Sequence, residues 1–111
     1  MDDQVLAVLV TAPTMDEAAR LGRTVVEERL AACANLVPGV RSIYRWQDVV
    51  QDDAEVLLVI KTTGSMWNKL LQRIVELHSY QTPEVLALPI RHGAPAYLHW
   101  LGAQVGTEMD T

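Results

Sequence analysis

Residues 5–10 form an unbroken apolar, β-prone run, which suits a strand covered on both faces better than one with a wet side. We expect this to be the first and central strand. Pro13 and Thr14 then open a helix, because Thr14, Met15, Asp16 and Glu17 have the form of a capping box in which each end satisfies the other's free N–H. Ala18, Leu21, Val25 and Val26 give that helix an apolar stripe at the helical period, and it should end near Arg29. Residues 32–46 read as extended, interrupted at Pro38 and Gly39, where proline removes a ladder donor and glycine permits an unusual backbone angle. A bulge or bend is predicted there. Beyond it, Ser42, Tyr44 and Trp46 fall on one face, and Arg41, Ile43 and Arg45 on the other. A turn around Gln47, Asp48 and Val49 leads into a return strand ending with residues 55–61, which completes a long antiparallel hairpin.

After Lys61, Thr62, Thr63, Gly64 and Ser65, a second helix carries Trp67, Leu70, Leu71, Ile74 and Leu77 at spacings of three and four. Pro83 precedes a fourth strand over residues 84–90, in which Pro89 argues for an edge or strand-end position. A short last helix follows Pro95, with Ala96, Tyr97, Trp100 and Leu101 as its packing residues, and residues 104–111 lose periodicity and read as a frayed tail. The order β-α-β-β-α-β plus a terminal helix closes, through right-handed crossovers, into an antiparallel sheet with both helices on one face. This is the ferredoxin-like α+β architecture. Two helices cover only one face of four strands, yet the runs over residues 5–10 and 56–60 are apolar on both sides. The simplest cover for the second face is another copy of the chain.

A chain of 111 residues, half of them apolar, suits one domain and one core. Its formal net charge of -5 disfavours a phosphate-backbone partner, because such binding draws its affinity from Lys and Arg releasing counterions. Nucleic acid is not expected. Nor is a membrane, since no apolar run approaches the roughly 20 residues that span a bilayer and the Met1, Asp2, Asp3 start lacks the features of a secretory leader. The single cysteine, Cys33, cannot form an internal disulfide and points to a reducing compartment, the cytoplasm. The acidic pairs Asp16-Glu17, Glu27-Glu28 and Asp52-Asp53 read as solvated surface.

Several segments taken in order resemble the CutA divalent-cation-tolerance family over nearly the whole chain. They are residues 10–13 (Val-Thr-Ala-Pro), 28–35 (Glu-Arg-Leu-Ala-Ala-Cys-Ala-Asn), 42–46 (Ser-Ile-Tyr-Arg-Trp) with Glu55 at a fixed distance, and 60–62 (Ile-Lys-Thr). His78-Ser79-Tyr80 with Pro83 and Glu84 follow, then Tyr97, Leu98, His99 and Trp100. The resemblance implies a trimer that packs ferredoxin-like sheets together, and an association with copper and other divalent cations. Three positions depart from the family pattern. Asp48 stands where glycine is general in the hairpin turn, and aspartate tolerates the left-handed backbone at some cost, so the turn should survive. Ser79 replaces a usual proline, which should loosen the loop after the second helix. Ala34 replaces a usual valine and changes packing volume only.

Cys33 is the natural copper(I) candidate, because copper(I) prefers soft donors such as thiolate; the competing reading is a buried cysteine acting as a small hydrophobe. Strand alternation puts Cys33 on one face with Asn35. His78 ends the second helix, either as an ordinary residue favoured by the helix dipole or, as the matching motif implies, as a ligand. His92 and His99 sit in no ligand spacing, so a tight metal site would need donors distant in sequence or from different subunits, with Cys33, His78 and Glu84 as the metal candidates. Glu55, Lys61 and Tyr80 lie in matching segments and are expected in a cleft or ligand site, while Tyr44 and Trp46 are expected to anchor an interface with a neighbouring subunit. Trp67, Tyr80 and Trp100 also read as core or interface anchors, and Thr63 or Ser65 is expected to cap the second helix. No nucleotide loop, nucleophile elbow or organic-cofactor fingerprint is present, and the reading is a binding protein, not an enzyme. A rival is a module like the PII signalling proteins, binding a small anionic metabolite between subunits, in which Arg41, Arg45, Lys61 and Arg91 are the important charges.

Overall fold

The computed structural model describes residues 3–106. Strand β1 (Val5–Ala12) lies inside the sheet, hydrogen-bonded antiparallel to β3 (Val49–Thr63) on one side and to β4 (Val85–Pro89) on the other. Strand β2 (Cys33–Trp46) pairs with the far side of β3, giving the order β2-β3-β1-β4. With α1 (Met15–Glu27) and α2 (Trp67–Leu77) as the two crossovers, this is the ferredoxin-like α+β arrangement expected from the pattern. Pro89 ends the edge strand β4, where its missing N–H costs no ladder bond.

The core forms where the helical stripes meet one face of the sheet. Val8, Val10, Leu58 and Ile60 pack against Ala18, Leu21 and Val25 of α1 and against Leu70 and Ile74 of α2, all essentially without solvent contact. Gly22 lets α1 lie close to β2, since a Cβ placed there would sit 3.1 Å from that of Ala34. The small residue at position 34 therefore belongs to a tight helix–sheet contact.

The hairpin turn is made by two residues in the left-handed region, Gln47 (φ 52°) and Asp48 (φ 67°), the type I′ geometry that matches strand twist. Asp48 does hold the turn. The bulge falls between Val37 and Val40, with Gly39 at φ 79°. Its extra residue switches the parity of β2. Before it, Cys33 and Asn35 oppose Lys61 and Val59; after it, Val40, Ser42 and Tyr44 oppose Glu55, Asp53 and Gln51 on that same face.

That second face carries two rows across the sheet, Cys33-Lys61-Ala7-Leu88 and Asn35-Val59-Leu9-Leu86. Leu86 and Leu88 remain 56% and 49% exposed. Helix α3 (Pro95–Gln104) covers only one end of the face, where Leu101 and Val105 are buried with Ala32 and Met66.

Several local expectations are corrected. Thr14 Oγ1 accepts the Glu17 N–H at 3.1 Å, but the Glu17 carboxylate does not return the bond, because it is drawn to the loop after α2. Helix α1 ends at Glu27, close to the expected Arg29, which turns the chain with φ 61°. Neither Thr63 nor Ser65 caps α2: their hydroxyls lie 3.1 Å apart, and a short 3-10 turn, Gly64–Met66, feeds the helix instead. In α3 Leu101 is the buried packing residue; Tyr97, 43% exposed, reaches the Cys33 thiol and stacks on Trp100 with ring centres 5.5 Å apart, while Trp100 is 43% exposed and Ala96 is exposed, because a helix apolar on several sides can press only one against the sheet. The expected tail is ordered as far as it is described. Gln104 ends α3, Val105 is buried and the Gly106 N–H donates to the Arg29 carbonyl at 2.8 Å, while residues 107–111 lie outside the described residues.

Candidate functional site

The loop between α2 and β4 folds back against the end of β1 and the base of the hairpin. Three interactions hold it. The His78 ring is buried, with Nε2–H donating to the Thr11 carbonyl at 2.7 Å and Nδ1 accepting the Tyr80 N–H at 3.0 Å, an arrangement that assigns the Nε2–H tautomer. The Ser79 N–H donates to Glu17 Oε2 at 2.9 Å. Finally, Tyr80 O–H donates to Glu55 Oε2 at 2.5 Å, a short charge-assisted bond. Ser79 thus does the opposite of loosening the loop. Its N–H, which a proline would lack, ties the loop to α1.

Burial works against ionisation of Glu17, yet the Ser79 backbone N–H and hydroxyl, with Arg20 nearby, hold its carboxyl below the ordinary value. Burial first, and then the bond to Glu55, push the Tyr80 phenol well above its ordinary range. It stays a proton donor at any physiological pH.

Between this loop and the hairpin lies a cavity of about 720 Å³. Glu55 forms its deep wall at only 8% exposure, Tyr80 and Thr11 flank it, Ser42, Tyr44 and Trp46 come from β2, and Glu84 sits at the rim. Tyr44 O–H donates to Asp53 Oδ2 at 2.6 Å, a diagonal cross-strand pair that fixes the ring. No lysine or arginine lines this space among the described residues. The charges expected for an anion site are elsewhere: Arg41 is held by Asp52 in a two-bond pair at 2.9 and 2.7 Å, Lys61 lies further along the open face, and Arg45 and Arg91 are exposed.

The structure therefore gathers Glu55, Tyr80, Glu84, Tyr44 and Trp46 but keeps Cys33 and Lys61 apart from them. Lys61 Nζ lies 3.9 Å from Cys33 Sγ and also bonds the Asn35 amide oxygen. Lys61 opposes Ala7 of β1, whereas His78 is bonded at Thr11, four residues or ~13 Å along the strand. Both His78 nitrogens are engaged, and among the described residues no three of His, Cys, Asp and Glu converge. An ammonium beside the thiol opposes a cation there as well. Among the described residues, the donors of one chain do not fit a metal ion.

Two contributors that read from sequence as solvated acidic surface are corrected by the structure: Glu17 is buried at 7% exposure, and Asp53 accepts the Tyr44 hydroxyl. Glu17 carried a signal, since it lies one turn before Leu21 on the buried side of α1, where a carboxylate needs a partner. Asp53 carried none, because its role depends on hairpin register.

Comparison with known proteins follows the same outline. A family model described as "CutA1 divalent ion tolerance protein" matches residues 6–104. The divalent-cation tolerance protein CutA of Thermus thermophilus is 50% identical over 99 residues, which cover 89% of this chain and 96% of that protein. Protein CutA, chloroplastic, of Arabidopsis thaliana is 45% identical over 96 residues, 86% of this chain; the chain spans about half, 53%, of that relative. The solved structure of the divalent cation tolerance protein Cut A1 from Thermus thermophilus superposes with a TM-score of 0.90 at 48% identity, covering 92% of this chain and 99% of that one.

Proposed function

Because the chain belongs to the CutA1 divalent ion tolerance family, we propose that it serves divalent-cation tolerance as a homotrimer that binds copper or another divalent metal ion through donors from more than one subunit. The observation that carries this reading is the open sheet face, whose Leu86, Leu88, Leu9 and Val59 no helix among the described residues covers. Burying such leucines stabilises by about 25 cal/mol per Å² removed from water. The two edges of the sheet, β2 and β4, are different surfaces on opposite sides, so a β2-to-β4 contact is head-to-tail and forms a ring where its rotation closes. Half-exposed Tyr44 and Trp46, on the projecting hairpin, are the side chains we assign to the neighbouring subunit.

The metal then meets its ligands at the assembly. In this reading Cys33 is the soft donor once the Lys61 ammonium beside it is displaced, Glu84 is an exposed carboxylate donor, and His78, bonded at both nitrogens, is the weaker candidate. We read the chain as a binding protein and place it in the cytoplasm on its unpaired thiol, while the Arabidopsis relative's name assigns that protein to the chloroplast. No helix is long and apolar enough to cross a membrane among the described residues.

The test pairs light scattering with a competition titration of copper(I) against a chromogenic chelator, wild type beside Cys33→Ser of confirmed trimer mass. Copper(I) is expected to bind more weakly to the variant and, in the wild type, more weakly as pH falls, because protons compete for the thiolate. A stable monomer at micromolar concentration, or equal copper affinities, would refute the corresponding half of the reading.

A further inference from the structure

Strand register places Lys61 of β3 directly opposite Cys33 of β2 on the open sheet face. Lys61 Nζ lies 3.9 Å from Cys33 Sγ and also donates to the Asn35 amide oxygen, which accepts the thiol at 3.6 Å. Tyr97 of α3 brings its hydroxyl to the same sulfur. Cys33 and Lys61 are both half-buried. All these partners belong to one chain and are set by the β2–β3 ladder or by α3, so the arrangement carries over into an assembly. A cation taken by Cys33 therefore meets the Lys61 ammonium. Like charges repel in proportion to their product, and partial burial strengthens the repulsion beyond its value in water. Copper(I) and zinc(II) share a filled d shell and differ by one unit of charge, so the ammonium opposes zinc(II) about twice as strongly in free energy.

We infer that Lys61 determines the selectivity of the Cys33 site: its ammonium, steadied by Asn35, leaves the thiol open to a singly charged soft ion and turns doubly charged ions away. This inference rests on the reading of Cys33 as the soft donor, and it narrows the metal from copper or another divalent ion to copper in its monovalent state. The four-carbon lysine stem is flexible, so the ammonium can move off the sulfur when a monovalent ion arrives. Lys61 is not itself a ligand, because a protonated amine has no acceptor lone pair. It acts by charge, and an arginine in its place should act alike.

The experiment titrates copper(I) and zinc(II), each against a chromogenic chelator, into wild type, Lys61→Met and Lys61→Arg, all of wild-type assembled mass. Lys61→Met removes the charge and keeps the length of the side chain. It is expected to bind copper(I) about tenfold more tightly and zinc(II) about a hundredfold, the square of that gain, because the repulsion scales with the charge of the ion. Lys61→Arg should keep the wild-type affinities for both ions. Lys61→Gln is the deciding variant should Lys61→Met fail to assemble. In a Cys33→Ser background the Lys61→Met gain should vanish, which ties the effect to the thiol. With Cys33→Ser weakened for copper(I), a Lys61→Met gain that is absent, equal for the two ions, or unchanged by loss of the thiol would overturn this inference and leave the copper reading standing. So would a Lys61→Arg variant that gains as Lys61→Met does. Equal copper(I) affinity in wild type and Cys33→Ser would overturn both.

Discussion

Ser79→Pro removes the N–H by which the loop after α2 holds Glu17, and the structure predicts that it harms this chain. His78, the residue before it, already has φ -74° and ψ 141°, a conformation compatible with a following proline. If the φ of residue 79 also suits proline, the restriction of the unfolded chain would stabilise by about 0.4–1 kcal/mol. Against this stands the loss of the Ser79 N–H, which donates to the buried Glu17 carboxylate at 2.9 Å. A hydrogen bond to a charged group contributes about 1.5–3 kcal/mol, and here solvent is poorly placed to replace it. The net expectation is a loss of about 1–2 kcal/mol, read from urea unfolding at fixed protomer concentration, since assembly couples to stability. Ser79→Ala separates the hydroxyl from the N–H and should cost less. The pH dependence supplies a second check. The Glu17 carboxyl is lowered in the folded state, so its contribution is complete above its unfolded value near 4.5 and is lost as pH falls through the folded value. The gap between wild type and Ser79→Pro should therefore narrow below about pH 4. A proline variant as stable as wild type or more so, or a gap independent of pH, would refute the account of Ser79 as a tie between the loop and α1.

Other perturbations address separate parts of the molecule. Glu17→Gln keeps an acceptor for Ser79 but not the charge, and should flatten the acid limb of a melting-temperature profile between about pH 3 and 5 while costing stability at pH ~7. Gly39→Ala meets no neighbour within 4 Å, so its cost is the left-handed backbone alone, about 1 kcal/mol by chemical denaturation; a neutral result would mean that the bulge is not held at φ 79°. Trp46→Ala should weaken trimer assembly by about 2 kcal/mol or more, seen as dissociation on dilution by light scattering, and unchanged mass at high dilution would make Trp46 a local residue of the hairpin.

Most of the architecture was legible because its causes are local. The uninterrupted apolar run in β1, the stripes of α1 and α2, the Pro38-Gly39 bulge and the turn through Gln47 and Asp48 follow from side-chain periodicity and backbone preference within a few residues. That Glu55 and Tyr80 share a cleft was legible only through resemblance, since nothing in their spacing brings residues 55 and 80 together. The same reading sets Lys61 with them and Glu84 with Cys33 and His78, and the structure regroups both. What the tertiary structure alone decided was the choice between competing partners. Thr14 and Glu17 satisfy the pattern of a capping box, yet a buried carboxylate with a loop N–H 62 residues away takes that stronger bond, so only half the box forms. Cys33 and His78 both carry donor chemistry, but strand geometry sets them at opposite ends of β1 and the packing of the loop consumes both imidazole nitrogens. A sequence states which atoms can bond; which of them do is settled by distances between segments far apart along the chain and by the cost of leaving a buried polar group unpaired.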